Sequence, residues 1–362
     1  MHPVTDEPSG GSHGPIDVRE VQLTRRPVGP LAETDFRIHE RRIEGLAPGE
    51  FVVRNSWLSI DAATVLRVRE GGTSYLPPLG LDVPMEGWAV GRIVRSDSAA
   101  YPEGEAVLHN HGWRDHTVFR DSMTGWGSSE LLRISDSRSE VEYVGALGTT
   151  GLTAWAGLLR VARLTRGDVV FVSAGAGAVG GLVIQLAKKR GHTVVASAGS
   201  PEKVRYLVEE LGVDEAFCYR DGNLPEQLAK AAPSGIDVYF DNVGGDHLEA
   251  ALGALRPGGR VALCGAIGNY SPEKLPVGPR NLFDAIAKGL TLRGFLARMY
   301  AEDFAQCRHE MAELIDAGRL TFPLSVHHGL DSAPEALVDL LAGRNLGKVV
   351  VDLRPAPAPA AG

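Results

Sequence analysis

The sequence predicts a two-part α/β protein, in which a β-rich module is followed by a doubly wound parallel sheet. Short β-like runs separated by turns occupy residues 17–143, and strands alternate with helices from residue 144 onward. A glycine-rich turn also joins the first of these later strands to a helix. Alternating strands and helices are typical of a parallel sheet with helices on both faces. The length of 362 residues fits two domains.

Composition and charge exclude several classes of protein. Hydrophobic residues make up 44% of the chain and charged residues 23%, which is ordinary for a globular enzyme. The formal net charge of −8 provides no basic field for nucleic acid or a membrane surface. No apolar run reaches the length of a membrane-spanning helix. The cysteines number three and lie far apart, which predicts free thiols in a reducing cytoplasm.

The β-rich module is predicted from its short apolar runs. They include EFVVRNSWLSI, WAVGRIVRS, EAVLHN and DHTVF, separated by turn residues at 48–50, 71–72 and 102–105. This spacing of strands and turns indicates a partly closed barrel. The late strand LGKVVVDL, at 346–353, is expected to return to the same module.

The second half is predicted from alternating helical and strand patterns. GALGTTGLTAWAGLLRVARL has apolar residues at helical spacing. In SPEKVRYLVEELG, Ser200 is the predicted helix cap and Pro201 the first helical residue. The predicted strands are DVVFVSA, HTVVASA, EAFCYR, DVYFDNV, GRVALCGAI and LTLRGFL. The resulting division is a sheet domain at 146–310, a β-rich domain at 16–145 and 311–354, and disordered tails at 1–15 and 355–362.

The turn after the first strand of the sheet carries a recognisable motif. Gly175, Gly177 and Gly180 fit G-x-G-x-x-G between a strand and a helix. The first glycine permits the tight turn, the second lets a pyrophosphate approach the backbone, and the third lets helix and strand pack closely. The helix N-terminus offers unpaired N–H groups and a positive dipole end to phosphate. The motif therefore predicts a dinucleotide-binding (Rossmann) unit.

The next strand ends without an acidic residue. NAD-binding units place an Asp or Glu there to bind the ribose hydroxyls, but this chain has Ala-Ser-Ala-Gly-Ser at 196–200. Lys203 and Arg205 follow in the next helix. A cation at this place can pair with a 2′-phosphate. The pattern favours NADPH over NADH as the cofactor.

Several longer stretches carry a family likeness, namely LGTTGLTAWAGL, VSAGAGAVGGLVIQLAK, GSPEKVRYL, YFDNVGGD, GRVALCGAIGNY and NLGKVVV. Over about residues 45–352 the chain resembles the zinc-free medium-chain dehydrogenases/reductases, in the group of prostaglandin, leukotriene, plant double-bond and curcumin reductases. The resemblance implies a GroES-like barrel, an NADPH cofactor, and reduction of a C=C bond conjugated to a carbonyl. It also implies a homodimer, in which the edge strands at 290–298 meet.

The motif and the resemblance together imply a set of site residues. Tyr270 is the candidate catalytic hydroxyl, with a ribose hydroxyl of the cofactor as the alternative donor. Asn242 also fits an ordinary turn residue and Tyr219 ordinary strand packing. The predicted substrate pocket includes Trp57 and Met85. The predicted cofactor contacts are Gly175, Gly177, Ala178, Val179, Gly180, Ser200, Lys203, Tyr219, Asn242, Cys264, Gly265, Ala266, Ile267, Tyr270, Phe295, Leu296, Ala297 and Asn345.

The sequence departs from its relatives at the metal and substrate positions. Met85 stands where zinc-containing members of the superfamily have a histidine, and no cysteine precedes Cys218, so no metal is expected. His109, His111 and His116 are read as surface or cleft histidines. The tyrosines and the proline of the family motif are missing from residues 56–65, which indicates an unusual substrate. A quinone reductase and an NADPH-binding protein without turnover remain as alternatives.

Overall fold

The computed structural model describes residues 14–69, 74, 76–123, 131–134, 138–270 and 278–355. The two predicted disordered tails lie almost wholly outside these residues. Among the described helices, none combines the length and the apolar composition that crossing a bilayer requires.

The described strands follow the predicted order closely. They are β1 (Ile16–Leu23), β2 (Phe36–Ile43), β3 (Glu50–Ser59), β4 (Ala89–Ser96), β5 (Ala106–His109), β6 (His116–Arg120), β7 (Leu132–Ile134), β8 (Val169–Val172), β9 (Thr193–Ala198), β10 (Glu215–Cys218), β11 (Ile236–Asp241), β12 (Leu255–Leu263), β13 (Thr291–Gly294), β14 (Leu324–His328) and β15 (Lys348–Asp352).

The helices lie mostly in the second half of the chain. They are α1 (Val65–Val68), α2 (Val141–Val144), α3 (Thr149–Ala156), α4 (Ala178–Lys189), α5 (Pro201–Glu209), α6 (Leu224–Ala231), α7 (Gly245–Ala254), α8 (Phe283–Ala287), α9 (Phe304–Asp316) and α10 (Ala333–Leu341). A π-helical turn, Gly157–Val161, continues α3.

Six strands form one parallel sheet in the order β10-β9-β8-β11-β12-β13. This is the doubly wound order of dinucleotide-binding folds, in which the chain direction across the sheet reverses between the first and fourth strands. The predicted fold class is therefore confirmed. The strand order reverses between β8 and β11. The glycine turn, which follows β8, therefore lies at the centre of the sheet.

The β-rich half is a sheet of seven strands in the order β14-β15-β3-β4-β5-β7, with β6 paired to β3. The hairpin of β1 and β2 joins it through a bridge between Glu20 and Arg114. Strand β15 pairs antiparallel with β3, which confirms the predicted return of the late strand. Strand β14, parallel to β15, was not predicted.

Helix α9 crosses the predicted domain boundary. The prediction placed the return to the β-rich half at residue 311, which falls inside α9. Phe304, Cys307 and Met311 of this helix are buried in the same core cluster as the parallel sheet. The indole N–H of Trp155 on α3 also donates to Glu310 at 2.7 Å. Helix α9 therefore packs on α3 across the predicted boundary, and the next strand, β14, pairs with β15 of the β-rich half.

Candidate active site

A cavity of about 1110 Å³ lies between the two halves, at the carboxyl ends of the parallel strands. One wall comes from the barrel, including Ile60 and Val349, and the other from the loops that follow the parallel strands. Ligands of open α/β sheets bind at this edge, where the strand order reverses. The cavity is therefore the candidate active site.

The glycine turn forms the middle of the cavity wall, with 177–180 all lining it. Gly177 caps α4 in an extended conformation and has no side chain to cover the first-turn N–H groups. A Cβ on Gly180 would lie 2.4 Å from the carbonyl oxygen of Ala174. The residue of this turn with left-handed backbone is Ala174, with φ of 49°. This bare helix N-terminus fits a pyrophosphate.

Two cations line the cavity where β9 ends, Lys203 and Arg220. Ser200 caps α5 as predicted, its hydroxyl accepting from the Lys203 backbone N–H at 3.4 Å. The Lys203 ammonium donates to the carbonyl of Gly343 at 2.9 Å. Burial, and then the charge of Arg220, lower the pKa of Lys203. With no acidic residue at 196–200, this end of the cavity suits a 2′-phosphate.

The Tyr219 side chain lies beside the loop that follows β9. Its backbone N–H donates to Ala198 at 3.1 Å, and a Cβ on Gly199 would lie 3.2 Å from its hydroxyl oxygen. The edge of its ring meets the ring of His247, with centroids 4.9 Å apart. Burial lowers the pKa of His247 to about 4, so this imidazole is neutral near pH 7. Both aromatic rings line the cavity beside the two cations.

Asn242 follows β11 and lines the cavity above a buried polar network. Its side-chain amide donates to the Ser173 carbonyl at 2.8 Å. Beneath it, Asp241 accepts from the Tyr239 hydroxyl and from two backbone N–H groups of the following turn. Burial raises the pKa of Asp241. The network fixes the turn, so the Asn242 position is set by more than turn propensity.

The loop after β12 brings Gly265, Ile267 and Tyr270 to the cavity. The Tyr270 ring packs against the barrel core cluster that contains Ile60 and Val349. Burial raises the pKa of its hydroxyl, which therefore stays protonated at neutral pH. Arg69, at the end of α1, donates to the Tyr270 carbonyl. The Tyr270 side chain of the sheet domain, with its protonated hydroxyl, thus packs against the barrel wall.

The segment from Gly343 to Lys348 spans the cavity and ties the two halves together. Asn345, which was predicted to contact the cofactor, lines the cavity, and its amide donates to the Gly347 carbonyl at 2.9 Å. The Gly347 N–H donates to Ala176 in the glycine turn at 2.9 Å. A side chain at Gly347 would lie 2.1 Å from the Pro323 carbonyl. The segment therefore fixes the barrel relative to the glycine turn.

Eight predicted site residues are not part of the cavity wall. Gly175 packs under the turn, close to Ile184 and Leu207. Burial, and then the Asp241 charge, raise the pKa of the Cys264 thiol to about 12, which excludes it as a thiolate. The buried ring of Phe295 meets Phe240 edge-on. The eight residues are Gly175, Cys264, Ala266, Phe295, Leu296, Ala297, Trp57 and Met85.

Trp57 and Met85 correct the predicted substrate pocket. Trp57 is 7% exposed and packs in the large core cluster under the guanidinium of Arg354. Met85 is fully buried in the barrel cluster. Trp57 lies on β3, and Met85 lies in the connection that leads to β4. Both side chains point into hydrophobic cores. The barrel residues that line the cavity instead include Ile60, Ala62 and Ala63.

Sequence reasoning missed several cavity residues. Arg220 directly follows Tyr219 at a strand end, so the strand-end rule could have found it. Asp61 and Lys348 also line the cavity and form an ion pair of 2.9 Å. They are far apart in the sequence and belong to no motif that predicts their contact. Thr150 of α3 completes this wall.

The histidines of the barrel do not converge on a metal site. Within the described ranges, no group of three or more His, Cys, Asp or Glu residues is placed to hold a metal ion. His109 is fully buried, and its Nε2 lies 2.8 Å from the Asn55 side-chain oxygen. Burial holds the pKa of His109 well below its ordinary value. This histidine is therefore a neutral core residue and not the predicted surface or cleft group.

A doubly wound sheet, a bare glycine turn and two cations at an acid-free strand end are typical of dinucleotide-binding proteins. Two family models match, "Zinc-binding dehydrogenase" over residues 178–316 and "N-terminal domain of oxidoreductase" over residues 19–125. The chain is 37% identical to a 2-alkenal reductase (NADP(+)-dependent) of Nicotiana tabacum, over 93% of this chain and 97% of the relative.

Two further comparisons agree with this result. The chain is 32% identical to the NADPH-dependent curcumin reductase of Escherichia coli, over 91% of this chain and 95% of that one. The crystal structure of CurA from Vibrio vulnificus in complex with NADPH superposes with a TM-score of 0.86 at 32% identity, covering 93% of this chain and all of that one. The chain belongs to the medium-chain dehydrogenase/reductase family, in the group that contains these NADPH-dependent reductases.

Proposed function

We propose that this protein is an NADPH-dependent reductase of a C=C bond conjugated to a carbonyl. The observation that carries the proposal is the cavity itself, which joins a phosphate-binding turn and a cation pair to a protonated hydroxyl at its other end. The relatives named as alkenal and curcumin reductases support the same chemistry. The substrate is accordingly a small unsaturated carbonyl compound.

Different residues along the cavity have different roles in this proposal. The first-turn N–H groups of α4 hold the pyrophosphate, and Lys203 with Arg220 holds the 2′-phosphate. The cofactor, when bound, supplies the hydride that reaches the β-carbon of the substrate. Tyr270 offers a hydrogen bond where negative charge develops on the substrate oxygen. Ile60 and Val349 of the barrel give this end of the cavity an apolar wall.

Three further properties belong to the same proposal. The protein works without a catalytic metal, because Met85 occupies the position of the zinc-binding histidine and is itself fully buried. It forms a homodimer through the exposed edge of the parallel sheet. It acts in the cytoplasm, which agrees with three free cysteines.

NADPH oxidation tests the proposal directly. Purified protein is mixed with NADPH and a panel of 2-alkenals, aryl enones and quinones, and consumption of NADPH is followed by its absorbance. We expect turnover of enals or enones to saturated carbonyl products, identified by mass. Turnover of quinones alone would replace the proposal with a quinone reductase. Binding of NADPH without turnover of any acceptor would make the protein a binding protein.

A further inference from the structure

Lys348 is a buried cation at the substrate end of the cavity. Its side chain is 3% exposed, and its ammonium donates to the Ile60 carbonyl at 2.7 Å and to Asp61 at 2.9 Å. An ammonium has three N–H donors. Among the described residues no third acceptor is present for it. A buried donor without a partner costs free energy, so this position is one where a ligand acceptor would be favourable.

Asp61 holds the cation in place. One carboxylate oxygen accepts from Lys348, and the other accepts from the Ser59 hydroxyl at 2.6 Å. The Asp61 side chain is 39% exposed, so it neutralises Lys348 without being sealed from water. A buried charge survives folding when a hydrogen-bonded partner of opposite charge is present. The pair is therefore a stable, rigid feature of the barrel wall.

The backbone also fixes Lys348 from its other side. The preceding residue, Gly347, has φ of 65° and donates to Ala176 in the glycine turn. This conformation favours glycine, and a side chain would meet Pro323. The amine is consequently positioned by both halves of the molecule.

Tyr270 lies at the same end of the cavity. Its ring packs against the cluster containing Ile60 and Val349, which are the chain neighbours of Asp61 and Lys348. Both Tyr270 and Lys348 line the cavity. Oxyanion sites commonly use more than one donor aimed at the oxygen where charge develops.

Resting on the proposed function, we propose that Lys348 is a second donor to the substrate oxygen, completing with Tyr270 an oxyanion site built from both halves. Asp61 is a positioning residue, which holds the ammonium between the Ile60 carbonyl and the cavity. As the hydride adds to the β-carbon, the C=C electron pair moves toward the carbonyl and leaves negative charge on this oxygen as an enolate. A proton then adds to the α-carbon, which restores the carbonyl and gives the saturated product. The fixed ammonium stabilises that charge without moving.

Binding of 4-nitrophenol to the protein with NADP⁺ tests the inference at equilibrium. The phenolate is a planar, conjugated oxyanion that resembles an enolate, and its colour reports its ionisation. In the wild type we expect the pKa of bound 4-nitrophenol to fall below its value in water. In Lys348→Met this pKa should rise by about 1–2 units relative to the wild-type complex, as expected for one lost charged hydrogen bond.

Activity and matched variants complete the test. Lys348→Met should lower kcat on enones by about 100-fold while NADPH affinity stays nearly unchanged. The double variant Lys348→Met with Asp61→Asn should regain any lost thermal stability without regaining kcat. Lys288 donates to the carbonyls of Leu252 and Gly253 outside the cavity, so Lys288→Met serves as the control and should change neither quantity.

The outcomes separate this inference from the proposed function. If Lys348→Met binds the phenolate and turns over enones as the wild type does, the inference is overturned. Recovery of kcat in the double variant would also overturn it, because that result indicates a purely structural ion pair. A wild type that reduces no enone, yet loses phenolate binding in Lys348→Met, would overturn the proposed function and support Lys348 as an oxyanion donor.

Discussion

Under the proposed function, Lys203 holds the 2′-phosphate and so favours NADPH over NADH. Lys203→Met should weaken NADPH binding by about 1.5–3 kcal/mol, the worth of a charge-assisted hydrogen bond, and leave NADH binding nearly unchanged. The methionine keeps the half-buried stem in place. Titration of both cofactors by nicotinamide fluorescence measures the effect. The control is Lys230→Met, since Lys230 is exposed on α6 and outside the cavity wall. Equal losses for both cofactors would exclude the phosphate contact.

Tyr270 is the second residue whose role is testable alone. If its hydroxyl donates to the substrate oxygen, Tyr270→Phe should lower kcat by about 100-fold and leave NADPH affinity intact. Steady-state kinetics on one accepted enone measure this. A fully active Phe variant, together with a damaged Tyr270→Ala variant, would mean that only the packing of the ring on the barrel cluster matters.

His247 makes stability depend on pH. Its pKa is about 4 in the folded protein against an ordinary 6.5, because burial disfavours the charged imidazole. The unfolded chain therefore binds more protons between these values, so the stabilising contribution is complete above pH 6.5 and is lost as the pH falls toward 4. Linkage gives a loss of about 2 kcal/mol between pH 7.5 and pH 5.

The variant His247→Phe isolates this effect. It keeps an aromatic edge against Tyr219 and removes the titrating group. Denaturant unfolding at pH 7.5 and pH 5 should show a smaller loss of stability in the variant than in the wild type. Identical losses in the two proteins would mean that the folded His247 titrates near its ordinary value.

At the scale of elements, α4 packs closely against the glycine turn at Gly180. Gly180→Ala should destabilise the protein by about 2 kcal/mol, because the new methyl group would lie 2.4 Å from the Ala174 carbonyl and the backbone must shift. NADPH affinity should fall with it. Thermal unfolding and cofactor titration measure both effects.

The neighbouring glycine provides a matched control. A Cβ on Gly181 would lie 3.6 Å from the nearest atom, an ordinary contact. Gly181→Ala should therefore be neutral or stabilising by up to about 1 kcal/mol, from the higher helix propensity of alanine. If the two alanine variants behave alike, close packing is not the reason for glycine at 180.

Elements with strong local signals were predictable from the sequence. The cap at Ser200 with Pro201 gave the start of α5, and continuous apolar runs gave the parallel strands. Strand β14, LSVHH, has a weak apolar pattern and forms at an edge through pairing with β15, so only tertiary structure identifies it. The predicted boundary at 310 falls inside α9 for the same reason, since the packing of this helix depends on contacts with α3.

The cofactor half of the site was more predictable than the substrate half. Strand-end loops in a doubly wound sheet have a fixed relation to the ligand, and the residues at 177–180, Lys203 and Tyr219 line the cavity as that relation requires. The substrate wall depends instead on contacts between residues distant in the chain, such as Asp61 with Lys348. No local pattern encodes such pairs.

At the scale of the whole molecule, the β13 edge of the parallel sheet is flanked by exposed apolar side chains. Strand β13 pairs with β12 and, within the described chain, with no other strand. Exposed apolar side chains surround it, with Phe283 at 72%, Ile286 at 76% and Met299 at 59% exposure. An uncovered edge strand flanked by apolar groups favours pairing with a second copy. A two-fold axis beside β13 would bury this patch against itself.

We therefore expect a dimer through β13 and α8. Light scattering at micromolar concentration should give a mass near twice the 38.6 kDa of one chain. Ile286→Glu should raise the dimer dissociation constant by more than about 100-fold, because an unpaired charge buried at an interface costs about 3 kcal/mol or more. Val28, 98% exposed between β1 and β2, gives the control variant Val28→Glu, which should stay dimeric. A monomeric wild type would refute the dimer, and a dimeric Ile286→Glu protein would move the interface away from this edge.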